Sequence, residues 1–168
     1  MTRFCALLRA VNVGGTGKLP MADLRAMCTD LGFADVQTYI ASGNVVFSSD
    51  AAADAVKSAL EARLESYAGQ SMPVMLRDAD QMRAVLDAIP FAGADPKQVV
   101  VLFLDTAPGP NALEARHQKD EVLRAGAREV YVYYPSGMGS SKLTYPAMKL
   151  GTARNLNTLR KLVDLLHA

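Results

Sequence analysis

The sequence predicts an α+β fold built from two halves of βαββαβ type, with antiparallel sheets and two C-terminal helices. Two observations carry that expectation. Over residues 1–77 the apolar spacing alternates between strand and helix periods in the order βαββαβ. Over residues 78–168 a continuous apolar run, "VVVLFL", begins a second series that nearly repeats the first. No low-complexity linker separates the two series, so residues 1–168 are expected to form a single globular domain with halves at 1–77 and 78–168.

Phe4 to Val11 reads as a strand. Pro20 opens a helix whose apolar positions Met21, Leu24, Cys28 and Leu31 recur at helical spacing, and Gly32 ends it. Val36–Ile40 and Val45–Ser48 are short strands rich in β-branched and aromatic residues, joined through "ASGN", in which Gly43 and Asn44 tolerate positive φ. Asp50 is placed to cap a helix that carries Val56, Leu60, Leu64 and Tyr67 on one stripe and stops at Gly69. Met72–Leu76 completes the series as a strand. This order is the split βαβ of a ferredoxin-like unit.

A helix around Met82, Val85, Leu86 and Ile89 leads into the strand Val99–Leu104. A Pro/Gly loop, "DTAPGPN", and a weak helix through Leu113 come next. A hairpin turning near Gly126 sets Val130, Val132 and Tyr134 on one side and Tyr131 and Tyr133 on the other. Two helices are expected to close the chain, one through Leu143, Ala147 and Leu150, the other through Leu156, Leu159, Leu162 and Leu166. Pro146 must lie in the first turn of the former or kink it.

Composition narrows the function classes. A chain of 168 residues, 50% hydrophobic and 21% charged, matches a soluble globular unit that folds without metal or disulfide. A net charge of +1 creates no large field for nucleic acid, membrane or an acidic partner, so any positive site must be local. Cys5 and Cys28 lack metal-ligand spacing and read as buried, reduced thiols of a cytoplasmic protein. No apolar run reaches about 18 residues, so no membrane span is expected.

The glycine-rich stretch "RAVNVGGTGKLPMADL" is the first candidate site. It fails the phosphate-loop signature, because Asn12 stands where the first glycine belongs and Leu19 where the hydroxyl belongs. It fails the dinucleotide fingerprint too, since the third glycine falls on Pro20. What survives is a loop whose amides can turn toward an anion, ahead of a helix start. A right-handed crossover would bring the ends of the first and second strands to one sheet edge. Arg9, Asn12, Gly14, Gly15 and Lys18 would then converge with Ser42, Gly43 and Asn44.

A second polar cluster spans "GMGSSKL" and "TARNLNTL". Ser140 or Ser141 is expected to cap one closing helix and Asn155 the next, with the cations Lys142 and Arg154 beside those caps, where only a bound anion would favour them. Ser-x-x-Lys is absent, because Gly139 stands three residues before Lys142. His117 and His167 form no metal cluster or triad and read as surface residues. The carboxylates Asp78, Asp80, Asp120 and Glu121 read as solvated caps.

Taken together, "RAVNVGG", "PMADLRAMCTDLGFADVQTYIASGNVVF", "SSKL" and "RNLNTL" resemble the widespread bacterial proteins of domain-of-unknown-function family 1697, in matching order over nearly the whole chain. The resemblance implies two ferredoxin-like halves. Its motif positions correspond to Arg9, Asn12, Gly14, Gly15, Met21, Ser42, Gly43, Asn44, Ser141, Lys142, Arg154, Asn155 and Thr158. It supplies no activity and names no cofactor. Leu156 departs from a tryptophan common in that family, and Pro146 interrupts a helix usually without it.

The leading expectation is a cytoplasmic protein that binds a small anionic ligand, a nucleotide or phosphorylated metabolite, with both cationic clusters serving one anion. Arg9 and Lys142 would supply charge, Gly14 and Gly15 amides, and Asn12, Asn44 and Asn155 orientation. Two other classes compete: a structural or oligomerisation module whose polar motifs merely cap and turn, and an RRM-like single-stranded nucleic-acid module, which would need Phe4 and Phe47 as a stacking platform.

Overall fold

The computed structural model describes residues 1–9 and 18–168, which divide into two units, Met1–Met82 with Leu162–Ala168 and Arg83–Lys161. The fold is α+β, with two four-stranded antiparallel sheets and four α-helices among the described residues.

The first unit contains β1 (Thr2–Leu8), α1 (Met21–Asp30), β2 (Ala34–Thr38), β3 (Asn44–Ser49), α2 (Ala53–Ala68) and β4 (Val74–Asp78), with strand order β2-β3-β1-β4. Phe4, Ala6 and Leu8 of β1 share a core with Leu24, Met27 and Cys28 of α1 and Val56, Leu60 and Leu64 of α2. The alternate residues Cys5 and Leu7 are buried as well. Both faces of β1 are covered from Phe4 to Leu8, which is why that stretch is apolar throughout instead of alternating. Phe33 stacks on Phe47 with ring centroids 4.3 Å apart.

Several boundaries differ from expectation. β2 and β4 each lie two residues from their expected spans, and Arg9 follows the end of β1. Asp50 does not cap α2. The flanking residue is Ala52, which makes no side-chain cap bond, and the Asp50 carboxylate lies 3.4 Å from the N-terminal ammonium. Tyr67 leaves the apolar stripe and donates its hydroxyl to Asp23 at 2.7 Å. Gly69 ends α2 as expected, at φ 73°, where its amide donates to Glu65 O.

β4 is an edge strand sealed by side chains. Arg9 N donates to Pro73 O at 3.0 Å, so in the antiparallel register with Leu8 opposite Val74 the polar groups of Val74 point away from β1. Helix α2 supplies their partners: Glu61 Oε2 accepts from Val74 N at 2.9 Å, and Lys57 Nζ donates to Val74 O at 2.5 Å. Lys57 and Glu61 also pair with each other at 2.8 Å.

Asp78 and Gln81 exchange reciprocal backbone bonds at 2.8 and 2.9 Å and so start α3 (Ala79–Asp87) with a capping box. Then follow β5 (Val99–Phe103), β6 (Val122–Ala125), β7 (Glu129–Tyr133), β8 (Thr152–Asn155) and α4 (Leu156–Leu166). The second sheet has the order β6-β7-β5-β8, the order of the first sheet repeated. Val130, Val132 and Tyr134 face its core with Val100, Leu102 and Leu104.

Two expected helices do not form. Residues around Leu113 make only i to i+3 turns, Ala112 N to Gly109 O and Glu114 N to Asn111 O, in a segment broken by Gly109 and Pro110. The helix expected through Leu143, Ala147 and Leu150 shrinks to one 3₁₀ turn, Pro146–Lys149, and β8 occupies the residues after it. One helix, not two, closes the chain. β8 escaped sequence reading because its buried positions hold Thr152 and Arg154 while Ala153 is exposed, an alternation inverted in polarity.

Candidate functional site

Of the first expected cluster, Arg9 and the Ser42–Asn44 turn lie at one end of the first sheet. Leu8 N donates to Gly43 O at 2.9 Å, which ties the turn after β2 to the last residue of β1, directly before Arg9. The Arg9 amide is level with Pro73 at the start of β4, and its side chain is half-buried. Lys18 is exposed. Asn12, Gly14 and Gly15 lie outside the described residues.

The turn itself is built around Asn44. Its side chain is fully buried and donates to Tyr39 O and to Ser42 Oγ, both at 2.9 Å, while Tyr39 N donates to Asn44 O at 3.0 Å. Gly43 takes φ 87°, as the sequence anticipates. The Nδ2 group of Asn44 is therefore directed at its own turn.

The second cluster lies in the second unit. Ser141 caps no helix. Its hydroxyl donates to Glu121 Oε2 and accepts from Leu143 N at 3.2 Å, so it pins the "SSKL" turn to the segment before β6. Glu121 is not a solvated cap, being 5% exposed, and it also accepts from Lys119 N at 2.6 Å. The Ser141 hydroxyl first, then the Lys119 amide, hold its carboxyl below the usual range. Burial first, and the Glu121 charge second, raise the Tyr134 hydroxyl. Lys142 projects from the pinned turn, exposed.

Asn155 behaves as expected: its Oδ1 accepts from Thr158 N at 2.9 Å and caps α4. Arg154 directly precedes that cap, as expected, but it does so as a buried residue of a strand and not as a solvated cation. It is 6% exposed within β8, with Nη1 on Thr152 Oγ1 at 2.5 Å and on Ala153 O at 2.9 Å. Arg77, 1% exposed in β4, bonds Leu76 O at 2.9 Å in the same way. The two are equivalent in register, Arg77 opposite Cys5 in β1 and Arg154 opposite Val101 in β5. Sequence reading missed Arg77; a cation inside the apolar stretch "PVMLRD" was the available signal.

Phe4 and Phe47 belong to the core that faces α1 and α2, buried, so neither is available to stack on a base. Burial pushes the Cys28 thiol up to about 12, which keeps it protonated and unreactive at neutral pH. Among the described residues, no helix is long and apolar enough to cross a membrane.

No curated protein matches the chain. Among solved structures it is similar to that of the conserved bacterial protein SP0830 from Streptococcus pneumoniae, with 28% sequence identity and a TM-score of 0.81, over 100% of this chain and 99% of that one. A family model described as protein of unknown function (DUF1697) matches residues 1–131 of the 168. Joined to the motifs, that match places the chain in its family: it belongs to the DUF1697 proteins.

Proposed function

We propose that the chain binds a small anionic ligand, a nucleotide or phosphorylated metabolite, at the end of the first sheet where β1 runs into the glycine-rich stretch. The observation that carries this reading is the bond from Leu8 N to Gly43 O, which brings Arg9 and the Ser42–Asn44 turn to one sheet edge. Arg9 supplies the principal charge and exposed Lys18 a second. The strand order β2-β3-β1-β4, with α1 and α2 as its crossovers, supports reading this unit as ferredoxin-like, in which this edge gathers the ends of β1 and β2.

A structural module is the second reading, favoured by the hydrogen bonds that Asn44, Ser141 and Asn155 direct at their own turns and caps. One screen separates the two. A ligand at a hundred times its dissociation constant stabilises the fold by about 2.7 kcal/mol, so phosphate, nucleotides and sugar phosphates should raise the melting temperature over chloride at equal ionic strength. Arg9→Ala should abolish the rise. If no anion shifts the wild type, the motif residues are structural and the module reading stands.

A further inference from the structure

Ile40 holds a conformation that its residue type disfavours. Among the described residues, three non-glycine residues have positive φ, namely Asp35, Ile40 and His117, and Asp and His are types that visit the left-handed region readily. Ile40 is β-branched, sits at φ 51°, and leaves its side chain 50% exposed. A β-branched residue there is strained, and half its apolar surface gains nothing from the core. Asparagine or glycine would fit the same backbone without strain.

The strain is imposed locally. Tyr39, directly before Ile40, is bonded by both the backbone and the side chain of Asn44, and Gly43 is bonded to Leu8. The turn therefore cannot relax without losing bonds made by a buried carboxamide. The result is a held backbone that presents an exposed apolar residue in the turn bonded to Leu8, the residue directly before Arg9.

Building on the anion site proposed above, we infer that Ile40 is its specificity contact: it packs against an apolar or aromatic group joined to the anion, so the ligand is an organic phosphate and not a free inorganic one. A pre-formed contact of this kind adds affinity without an ordering cost on binding.

The test compares inorganic phosphate with adenosine monophosphate by calorimetric titration of the wild-type protein, Ile40→Asn and Ile40→Gly. Burying most of one isoleucine side chain should make the wild type prefer the nucleotide by about tenfold or more. Both variants should lose that preference, keep their affinity for phosphate within about twofold, and melt no lower than the wild type because the strain is relieved. The inference is overturned if phosphate binds and the nucleotide binds no tighter, or if the preference survives in both variants. If neither probe binds the wild type, the anion site itself fails and this inference with it.

Discussion

The Asn44 carboxamide bonds Tyr39 O and Ser42 Oγ from a fully buried position, so Asn44→Ala removes both bonds. Loss of about 1–3 kcal/mol in urea denaturation is expected. At Glu121 the folded carboxyl titrates below its unfolded value, so its contribution is complete above the ordinary glutamate value of about 4.3 and fades as pH falls through the lower folded one. Ser141→Ala removes the largest cause of that depression. The melting-temperature gap between wild type and variant should therefore hold steady from about pH 7 to 5 and narrow below about pH 4. A gap that widens on acidification would refute the pairing. The sequence identified Ser42, Gly43, Asn44 and Asn155 as turn and cap residues because those roles depend on neighbours within a few positions. It mistook Ser141 and Glu121, which are bonded across 20 residues, a separation no local pattern encodes.

Helix α2 does more than cover the first sheet. Through Lys57 and Glu61 it satisfies the outward groups of Val74 and so blocks pairing at the β4 edge. Replacing both by alanine should lower stability by about 1–3 kcal/mol and promote self-association, visible as a sedimentation shift at high concentration. Gly151 plays a comparable part before β8, since a Cβ there would lie 2.3 Å from Phe103 O. Gly151→Ala must push β8 away from β5 and should destabilise by about 1–3 kcal/mol. The helices α1, α2 and α4 were legible because each carries a long apolar stripe of period 3.6. The expected helix before β8 was not, because Leu143, Ala147 and Leu150 mimic that period while Pro146 limits the backbone to one turn.

Across the whole molecule one strand order occurs in both sheets, together with one repeated side chain. Arg77 and Arg154 occupy matching positions and each bonds the carbonyl of the preceding residue. Arg77→Met and Arg154→Met should each destabilise by about 1–3 kcal/mol by leaving that carbonyl without its donor. A change in one with none in the other would break the equivalence. The first half was readable because helices cross between its strands. In the second, β5 reaches β6 through chain without a helix, and β7 reaches β8 through a segment whose helical spacing yields only one 3₁₀ turn. The grouping of Leu162–Ala168 with Met1–Met82, marked by Arg3 Nη2 on Leu165 O at 3.3 Å, bears on synthesis in the cell. A ribosome making about 5–20 residues per second needs roughly 4–16 s to travel from Met82 to the final segment. Over that interval the nascent first unit lacks its last piece, so its fold is completed only once Leu162–Ala168 has been made.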